Sequence, residues 1–279
     1  LARKLTEALK RRRVYRRWQK PKRFDRNLLV IGAGAAGLVS AYIAATVRSR
    51  VTLVEAGAMG GDCLNTGCVP SKALLASARL AARLRDAERY GIQPAGEVTV
   101  DFPTVVQRVQ SVIRAIEPHD SVERYESLGV DVARGYARIV DPWTVSIRDE
   151  HGNEQRLTSR AIVIAAGAAP VVPPLPGLDA VECLTSETLW DAMATRPEPP
   201  ARLVVLGGGP IGCELAQAFA RLGSQVTVVE MLPRLLGRED EEAAAVIAET
   251  LAVDGVSVHT GHRAVRCEPG ENGAPDVLV

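Results

Sequence analysis

Cysteine is scarce in this 279-residue chain and odd in number: there are five, and only Cys63 and Cys68 lie close together. That argues against the even, regularly spaced framework of a small secreted disulfide protein. Where thiols are kept reduced, as in the cytosol, a close pair is more often metal-binding or catalytic. Histidine is scarcer still. None of His119, His151, His259 and His262 stands at zinc-ligand spacing from Cys63 or Cys68. Net charge is nearly absent, at +1, so the chain as a whole gives no reason to expect nucleic acid. A run without charge does occur at 28–47, "LLVIGAGAAGLVSAYIAATV", and is long enough to span a bilayer. Its glycines, Gly32, Gly34 and Gly37, have a better explanation, given below.

What is present is ordinary for a soluble globular protein, with 47% hydrophobic and 24% charged residues. The length suggests two domains. Charge is uneven: residues 1–26 hold twelve Lys/Arg against Glu7 and Asp25, a net +10, which leaves −9 for the rest. The chain begins at Leu1 and stops on "DVLV", which reads as mid-strand, so a piece of a longer protein is expected at both ends.

An internal repeat organises the chain. Residues 28–55 read as strand, glycine turn, Ala-rich helix and strand, and the order returns at 203–230. Gly32 matches Gly207, Gly34 matches Gly209, Gly37 matches Gly212 and Glu55 matches Glu230, always at an offset of 175. A lone G-x-G-x-x-G is a weak signal. Here each copy follows an apolar strand, opens a helix and is followed 23 residues later by a strand-end glutamate. In such a fingerprint the first glycine allows the tight turn, the second lets backbone approach a pyrophosphate, and the third permits close helix–strand packing. The helix N-terminus offers N–H groups and a positive dipole end to the phosphates. Each glutamate can accept hydrogen bonds from a ribose diol. Two such sites suggest two nucleotides, a resident flavin and a nicotinamide. The fold class is therefore α/β with two Rossmann-like dinucleotide-binding domains.

Other segments read more coarsely. Residues 71–90 suit a helix ending before Gly91. Pro103 starts a helix running to about Leu128, bent at Pro118. Segments 130–148 and 155–166 alternate like strands around the turn "DEHGNE", and "AIVIAAG" at 161–167 reads as a buried strand ending in glycine. "PVVPPLPG" at 170–177 reads as an extended linker and places the domain crossing. The expected division is a basic segment over 1–23, a first domain over 24–169 and a second over 170–279. Residues 238–253 suit a helix with an acidic start.

Cys63 and Cys68 stand in "MGGDCLNTGCVPSK". Residues five apart in a regular helix lie ~8.6 Å apart between Cα atoms. A disulfide needs about 4.4–6.8 Å. A bridge therefore requires a helix that is distorted or not yet begun, and Gly67 and Pro70 supply the means. A cysteine near a helix N-terminus and a lysine should also be thiolate-prone. Lys72 falls one turn after Cys68. Cys183, Cys213 and Cys267 are read as inert buried thiols.

The stretch resembles the active-site signature of the pyridine nucleotide–disulfide oxidoreductases, flavoproteins of the dihydrolipoamide dehydrogenase and mercuric reductase kind. The resemblance covers roughly 24–279, with its parts in family order: first dinucleotide motif, C-x₄-C-x₃-K, a strand ending Ala165-Ala166-Gly167, then the second motif. It implies that the first motif binds FAD, with Glu55 on the adenosine ribose. The FAD-contacting set would be Gly32, Gly34, Ala35, Ala36, Gly37, Glu55, Ala56, Gly60, Gly61, Lys72, Ala137, Ala166 and Gly167. The second motif would bind NAD, or less readily NADP, through Gly207, Gly209, Pro210, Ile211, Gly212 and Glu230. The carboxylate of Glu230 favours a free ribose diol over a 2′-phosphate, and Arg234 could moderate that. Cys63 would exchange with substrate, Cys68 would lie beside the flavin as a charge-transfer thiolate, and Lys72 would sit near the flavin and pair with Glu214. Electrons would run from NAD(P)H through flavin to a Cys63–Cys68 disulfide and on to a disulfide, dithiol or metal-ion substrate. A homodimer is implied for the parent protein, with a cytoplasmic location.

Several positions depart from the family pattern. Asp62 stands where Thr is common, the strand end reads Ala165-Ala166-Gly167 rather than Ala-Thr-Gly, and Pro210 replaces a tyrosine found in some relatives. The family's C-terminal part, with its second FAD segment, dimerisation domain and His/Glu pair, has no counterpart before Val279. Two rival readings remain: a single-subunit NADH–quinone reductase, which would not need Cys63 and Cys68, and a non-enzymatic flavin-binding protein. The basic head is read first as a solvated tail. Its second reading is a contact with the cytoplasmic membrane surface, and its third is nucleic-acid binding.

Overall fold

The computed structural model describes residues 15–93, 96–269 and 275–279. In chain order its elements are β1 (Arg26–Ile31), α1 (Ala35–Thr46), β2 (Val51–Glu55), α2 (Gly61–Asn65), α3 (Cys68–Arg85), α4 (Phe102–Ile116), α5 (Val122–Ser127), β3 (Val130–Arg134), β4 (Tyr136–Asp141), β5 (Thr144–Arg148), β6 (Glu154–Ile164), α6 (Leu189–Ala194), β7 (Arg202–Leu206), α7 (Pro210–Arg221), β8 (Gln225–Glu230), α8 (Glu241–Val253), β9 (Ser257–Thr260), β10 (Arg266–Pro269) and β11 (Pro275–Leu278). The fold is α/β and falls into two compact units, 1–65 with 115–168 and 66–114 with 169–279. Each unit carries one copy of the strand–turn–helix–strand repeat.

In the first unit the strand order is β3-β2-β1-β6-β5-β4. β1 lies between β2 and β6 and is parallel to both. Its successive residues serve opposite faces. Val30 joins Leu38, Ala41 and Leu53 in one cluster, and Leu29 joins Val54, Val145, Ile147 and Leu157 in another. β6 has two partners: it pairs antiparallel with β5 from Glu154 to Thr158, then parallel with β1 from Ser159 to Ile164. The expectation of a buried strand at 161–167 is corrected here, since Ile164 is 70% exposed and the strand ends there.

Residues 15–26 are tied to this unit. Tyr15 packs on Trp143 at 5.4 Å between ring centroids, and the Asp25 carboxylate accepts from the Thr158 amide at 2.8 Å and hydroxyl at 2.7 Å. The remainder of the basic head lies outside the described residues. Among the described residues no helix is long and apolar enough to cross a membrane. The charge-free run at 28–47 is a strand and a helix separated by the glycine turn.

The second unit has a parallel sheet ordered β7-β8-β9. α3 packs against α7, burying Leu74 and Ala78 in one cluster with Cys213, Ala216 and Phe219. Side chains of the size of Leu74 and Phe219 contribute about 1.5–3 kcal/mol each when fully buried. Three hydrogen bonds add to that packing. Arg85 donates to the Arg221 carbonyl at 2.6 Å, Arg108 to the Ala73 carbonyl at 2.9 Å and the Trp190 indole to the Thr66 carbonyl at 2.7 Å. This packing is why residues 66–114 group with the second unit, so the chain changes unit at three places rather than at the proline-rich linker alone.

The helix expected from Pro103 to Leu128 is two helices. α4 stops at Ile116, because Pro118 has no N–H to give the preceding turn. Ser121 then caps α5, its hydroxyl accepting from the Arg124 amide at 3.2 Å. Likewise α8 begins at Glu241 rather than at 238, because Asp240 is its N-cap and accepts from the amides of Glu242 and Ala243.

Candidate functional site

The two glycine turns are built alike, each within its own unit. Gly32 donates to the Val54 carbonyl and Gly207 to the Val229 carbonyl, both at 2.8 Å. Gly32 has φ +100° and Gly207 has φ +110°, a conformation costly for other residues. A Cβ on Gly37 would lie 1.8 Å from the Gly32 carbonyl oxygen, and one on Gly212 would lie 2.1 Å from that of Gly207. The third glycines are thus required by packing. The second glycines differ. A Cβ on Gly209 would meet nothing within 4 Å, and one on Gly34 only the Gly61 Cα at 3.7 Å. Open space of this kind is what a close-approaching diphosphate needs.

The helices after the turns carry no side-chain cap: Gly34 and Gly209 are the N-caps of α1 and α7. Helices start with orphan N–H groups that need partners. At α1 these include the amides of Ala35 and Ala36. At α7 Pro210 occupies the first position, where a missing N–H costs nothing, leaving Ile211 and Gly212 as donors. By contrast α5 and α8 have Ser121 and Asp240.

The offset of 175 extends to the glutamates. Glu55 accepts from the Ala33 and Gly57 amides, each at 2.6 Å. Glu230 accepts from the Gly208 and Leu232 amides, each at 2.7 Å. Each carboxylate oxygen holds one N–H and retains acceptor capacity for a hydroxyl. The turn backbone, bare helix starts and fixed carboxylates therefore fit a dinucleotide twice. Ala33, Gly57, Gly208 and Leu232 were missed as site residues, although applying the repeat offset to them would have paired them.

Around the first turn, the Gly60 amide donates to the Ala33 carbonyl at 2.9 Å, and a Cβ on Gly61 would lie 2.6 Å from the Gly34 Cα. The end of β6 presses on the turn as well: a Cβ on Gly32 would come within 2.2 Å of the Ala165 carbonyl oxygen. Ala166 and Gly167 follow, the latter at φ +71°. Gly135, which lies outside both glycine motifs, donates to the Glu55 carbonyl at 2.9 Å and brings the start of β4 to the end of β2. Ala137 pairs with Ile147 and packs into the Leu29 cluster. Ala56 follows Glu55 and is exposed.

Cys63 lies in α2 and is half-buried, whereas Cys68 is the exposed first residue of α3. The break between these helices falls at Thr66 and Gly67. The expected distortion running on to Pro70 is absent, since Ser71 already donates to the Gly67 carbonyl at 3.0 Å. Pro70 fits the first turn, where its nitrogen needs no partner. The structure brings Lys72 and Glu214 together, with the ammonium 2.7 and 2.6 Å from the two carboxylate oxygens.

Cys183 is exposed, which corrects its reading as a buried thiol, while Cys213 and Cys267 are buried. Burial pushes the Cys213 thiol up from its ordinary value, and the charge of Glu230 adds to this. Asp62 is exposed in the first turn of α2, where a carboxylate suits the helix dipole. Arg234, four residues after Glu230, faces the backbone of its own loop. Its guanidinium donates to the carbonyls of Leu236 at 2.9 Å, Gly237 at 3.2 Å and Glu239 at 2.9 Å. Among the described residues no group of His, Cys, Asp and Glu is arranged to hold a metal ion.

Paired glycine turns with fixed glutamates, together with a C-x₄-C stretch, define a class of two-nucleotide flavoprotein reductases. Comparison with known proteins makes this specific. Residues 26–278 match the family described as "Pyridine nucleotide-disulphide oxidoreductase", and the chain belongs to that family. The family is one of FAD-containing enzymes that use NAD(P)H. The chain is 38% identical to a dihydrolipoyl dehydrogenase of Bacillus subtilis, over 86% of its length and 52% of the relative's. It is 36% identical to a mercuric reductase of Streptomyces lividans, over 84% and 48%. A solved Cu(II) complex of the HOCl-induced flavoprotein disulfide reductase RclA from Escherichia coli superposes with a TM-score of 0.74 at 29% identity, covering 91% of this chain and 53% of that one. The chain thus spans about half the length of the relatives it matches.

Proposed function

We propose that this chain is the nucleotide-binding half of a disulfide reductase that passes electrons from NADH to a Cys63–Cys68 couple and on to a disulfide, dithiol or metal-ion substrate. FAD, when bound at the first turn, supplies two-electron transfer between hydride and disulfide. The residues of this chain do the rest. The amides of Ala35 and Ala36 bind diphosphate, and Glu55 orients the adenosine ribose. Ile211, Gly212 and Glu230 do the same for NADH. As the pair is reduced its S–S bond opens, and one cysteine leaves as thiolate while the other takes a proton. Cys63 then carries the exchange with substrate, and Cys68 is the inner partner.

The observation that carries this reading is the Lys72–Glu214 ion pair. It links the helix that starts with Cys68 to the helix opened by the second glycine turn. Both side chains are well exposed, at 60% and 38%. Pairs of that kind contribute about 0–1 kcal/mol to stability. Stability alone is a weak reason for the pair, whereas holding one ammonium at a fixed place beside Cys68 is useful to electron transfer. Homodimerisation of the complete protein belongs to the same proposal.

The experiment is anaerobic reduction by NADH of the complete, FAD-loaded protein, as wild type and as Cys68→Ser. A long-wavelength thiolate–flavin band in wild type, lost in the variant, supports the reading. Flavin bleaching without that band in either protein would favour a quinone-reductase chemistry instead. Failure of the complete protein to take up FAD or to react with NADH would overturn the proposal outright.

A further inference from the structure

After Glu230 the second repeat, like the first after Glu55, runs into a loop that returns an amide to the turn, as Gly60 does to the Ala33 carbonyl; the first loop, 56–60, has no arginine, whereas the second carries Arg234. Leu236 donates its amide to the Gly208 carbonyl at 2.8 Å while holding φ +50°, an uncommon conformation for leucine. The fully buried Leu235 fills the space beside Gly208, its Cδ2 lying 2.3 Å from where a Cβ would be. Gly208 and Leu232 are the two residues whose amides fix the Glu230 carboxylate. The carbonyls of this loop turn inward on one side chain, and Arg234 holds three of them.

We infer that Arg234 is a positioning residue for coenzyme selection: by folding the 231–240 loop onto Gly208 it fixes Glu230 for a ribose diol, and its own cation is withheld from a 2′-phosphate. The inference rests on reading the second repeat as the nicotinamide site. A planar guanidinium suits this task because it presents several donors in a fixed fork. An ammonium at the end of a flexible stem does not. Without the clamp, Leu236 has less to hold its backbone at positive φ, and the Gly208 and Leu232 amides lose their fixed aim at Glu230. A carboxylate free to turn makes weaker hydrogen bonds to the diol and repels a phosphate less. The selectivity of the site is then set by a residue that touches neither nucleotide.

The test is equilibrium binding of NADH and of NADPH to the full chain, followed by nucleotide fluorescence, for wild type, Arg234→Gln, Arg234→Lys and Glu230→Gln. The ratio of the two dissociation constants is the readout, because a loss of folded protein scales both constants alike and leaves the ratio unmoved. Wild type is expected to prefer NADH. Arg234→Gln should reduce that preference by about tenfold, the scale of one weakened hydrogen bond to a charged group. Arg234→Lys should restore little of it, and Arg234→Gln combined with Glu230→Gln should do no more than Glu230→Gln alone. Equal weakening of both nucleotides by Arg234→Gln would overturn the inference and leave the nicotinamide reading intact. Selective loss of NADPH binding would overturn it too, by showing that Arg234 grips a phosphate. A wild type that binds neither nucleotide would remove the nicotinamide reading and this inference with it.

Discussion

Gly209 and Gly212 stand three residues apart in one motif, yet the structure gives them different duties. A Cβ at Gly212 would collide with backbone at 2.1 Å, whereas one at Gly209 would stand in open space. Gly212→Ala should therefore lower stability by about 3 kcal/mol, as overpacking against rigid backbone does. Gly209→Ala should leave the thermal midpoint nearly unchanged but weaken NADH binding. Thermal melts and nucleotide titrations of both variants check this, and equal melting losses would refute it. The Lys72–Glu214 pair invites the same separation of stability from function. Glu214→Gln should move stability by less than about 1 kcal/mol. It should slow the reduction of the Cys63–Cys68 couple by NADH, measured by stopped-flow absorbance. The cysteines also separate by environment. Cys213 is buried with its thiol pushed up, so alkylation of the reduced protein at neutral pH should mark exposed Cys68 and Cys183 well before it.

Elements were more legible than their ends. The strand–turn–helix–strand units at β1–β2 and β7–β8 follow from apolar runs broken by glycines of fixed spacing, and the structure has both. The sequence pattern overran the break at Pro118, because the apolar spacing continues through it and only the missing N–H and the Ser121 cap stop the helix. It also overestimated the burial of β6, because an apolar run says nothing about which neighbour covers its far face. Two carboxylates make a pH-dependent contribution at this scale. The Thr158 hydroxyl and amide hold Asp25 below its ordinary value of 3.8. At Asp131 burial pushes the pKa up, but hydrogen bonds from Arg26 and Thr52 outweigh it and the net shift is down. Groups with depressed folded pKa values stabilise above their unfolded pKa and lose that contribution as pH falls through the folded value. The first unit should thus lose stability below about pH 4. Asp131→Asn should flatten that dependence in urea melts taken across pH, and an unchanged slope would count against it.

For the whole molecule, the family and the paired glycine turns were readable because the same physics is written twice, at a constant offset. The grouping of residues 66–114 with the second unit was not readable. It depends on α3 packing against α7 and on hydrogen bonds to the carbonyls of Thr66, Ala73 and Arg221, contacts between residues more than thirty positions apart. The same holds for the three carbonyl partners of Arg234, which depend on how the loop after Glu230 folds. The central claim is that NADH reduces a Cys63–Cys68 couple, and one measurement addresses it directly. The complete FAD-loaded protein, oxidised and then treated anaerobically with NADH, is alkylated and the modified cysteines are counted by mass spectrometry. The account predicts that Cys63 and Cys68 are protected before NADH and both become labelled after it, while Cys183 is labelled throughout. Flavin reduction with no change in the labelling of Cys63 and Cys68 would contradict it.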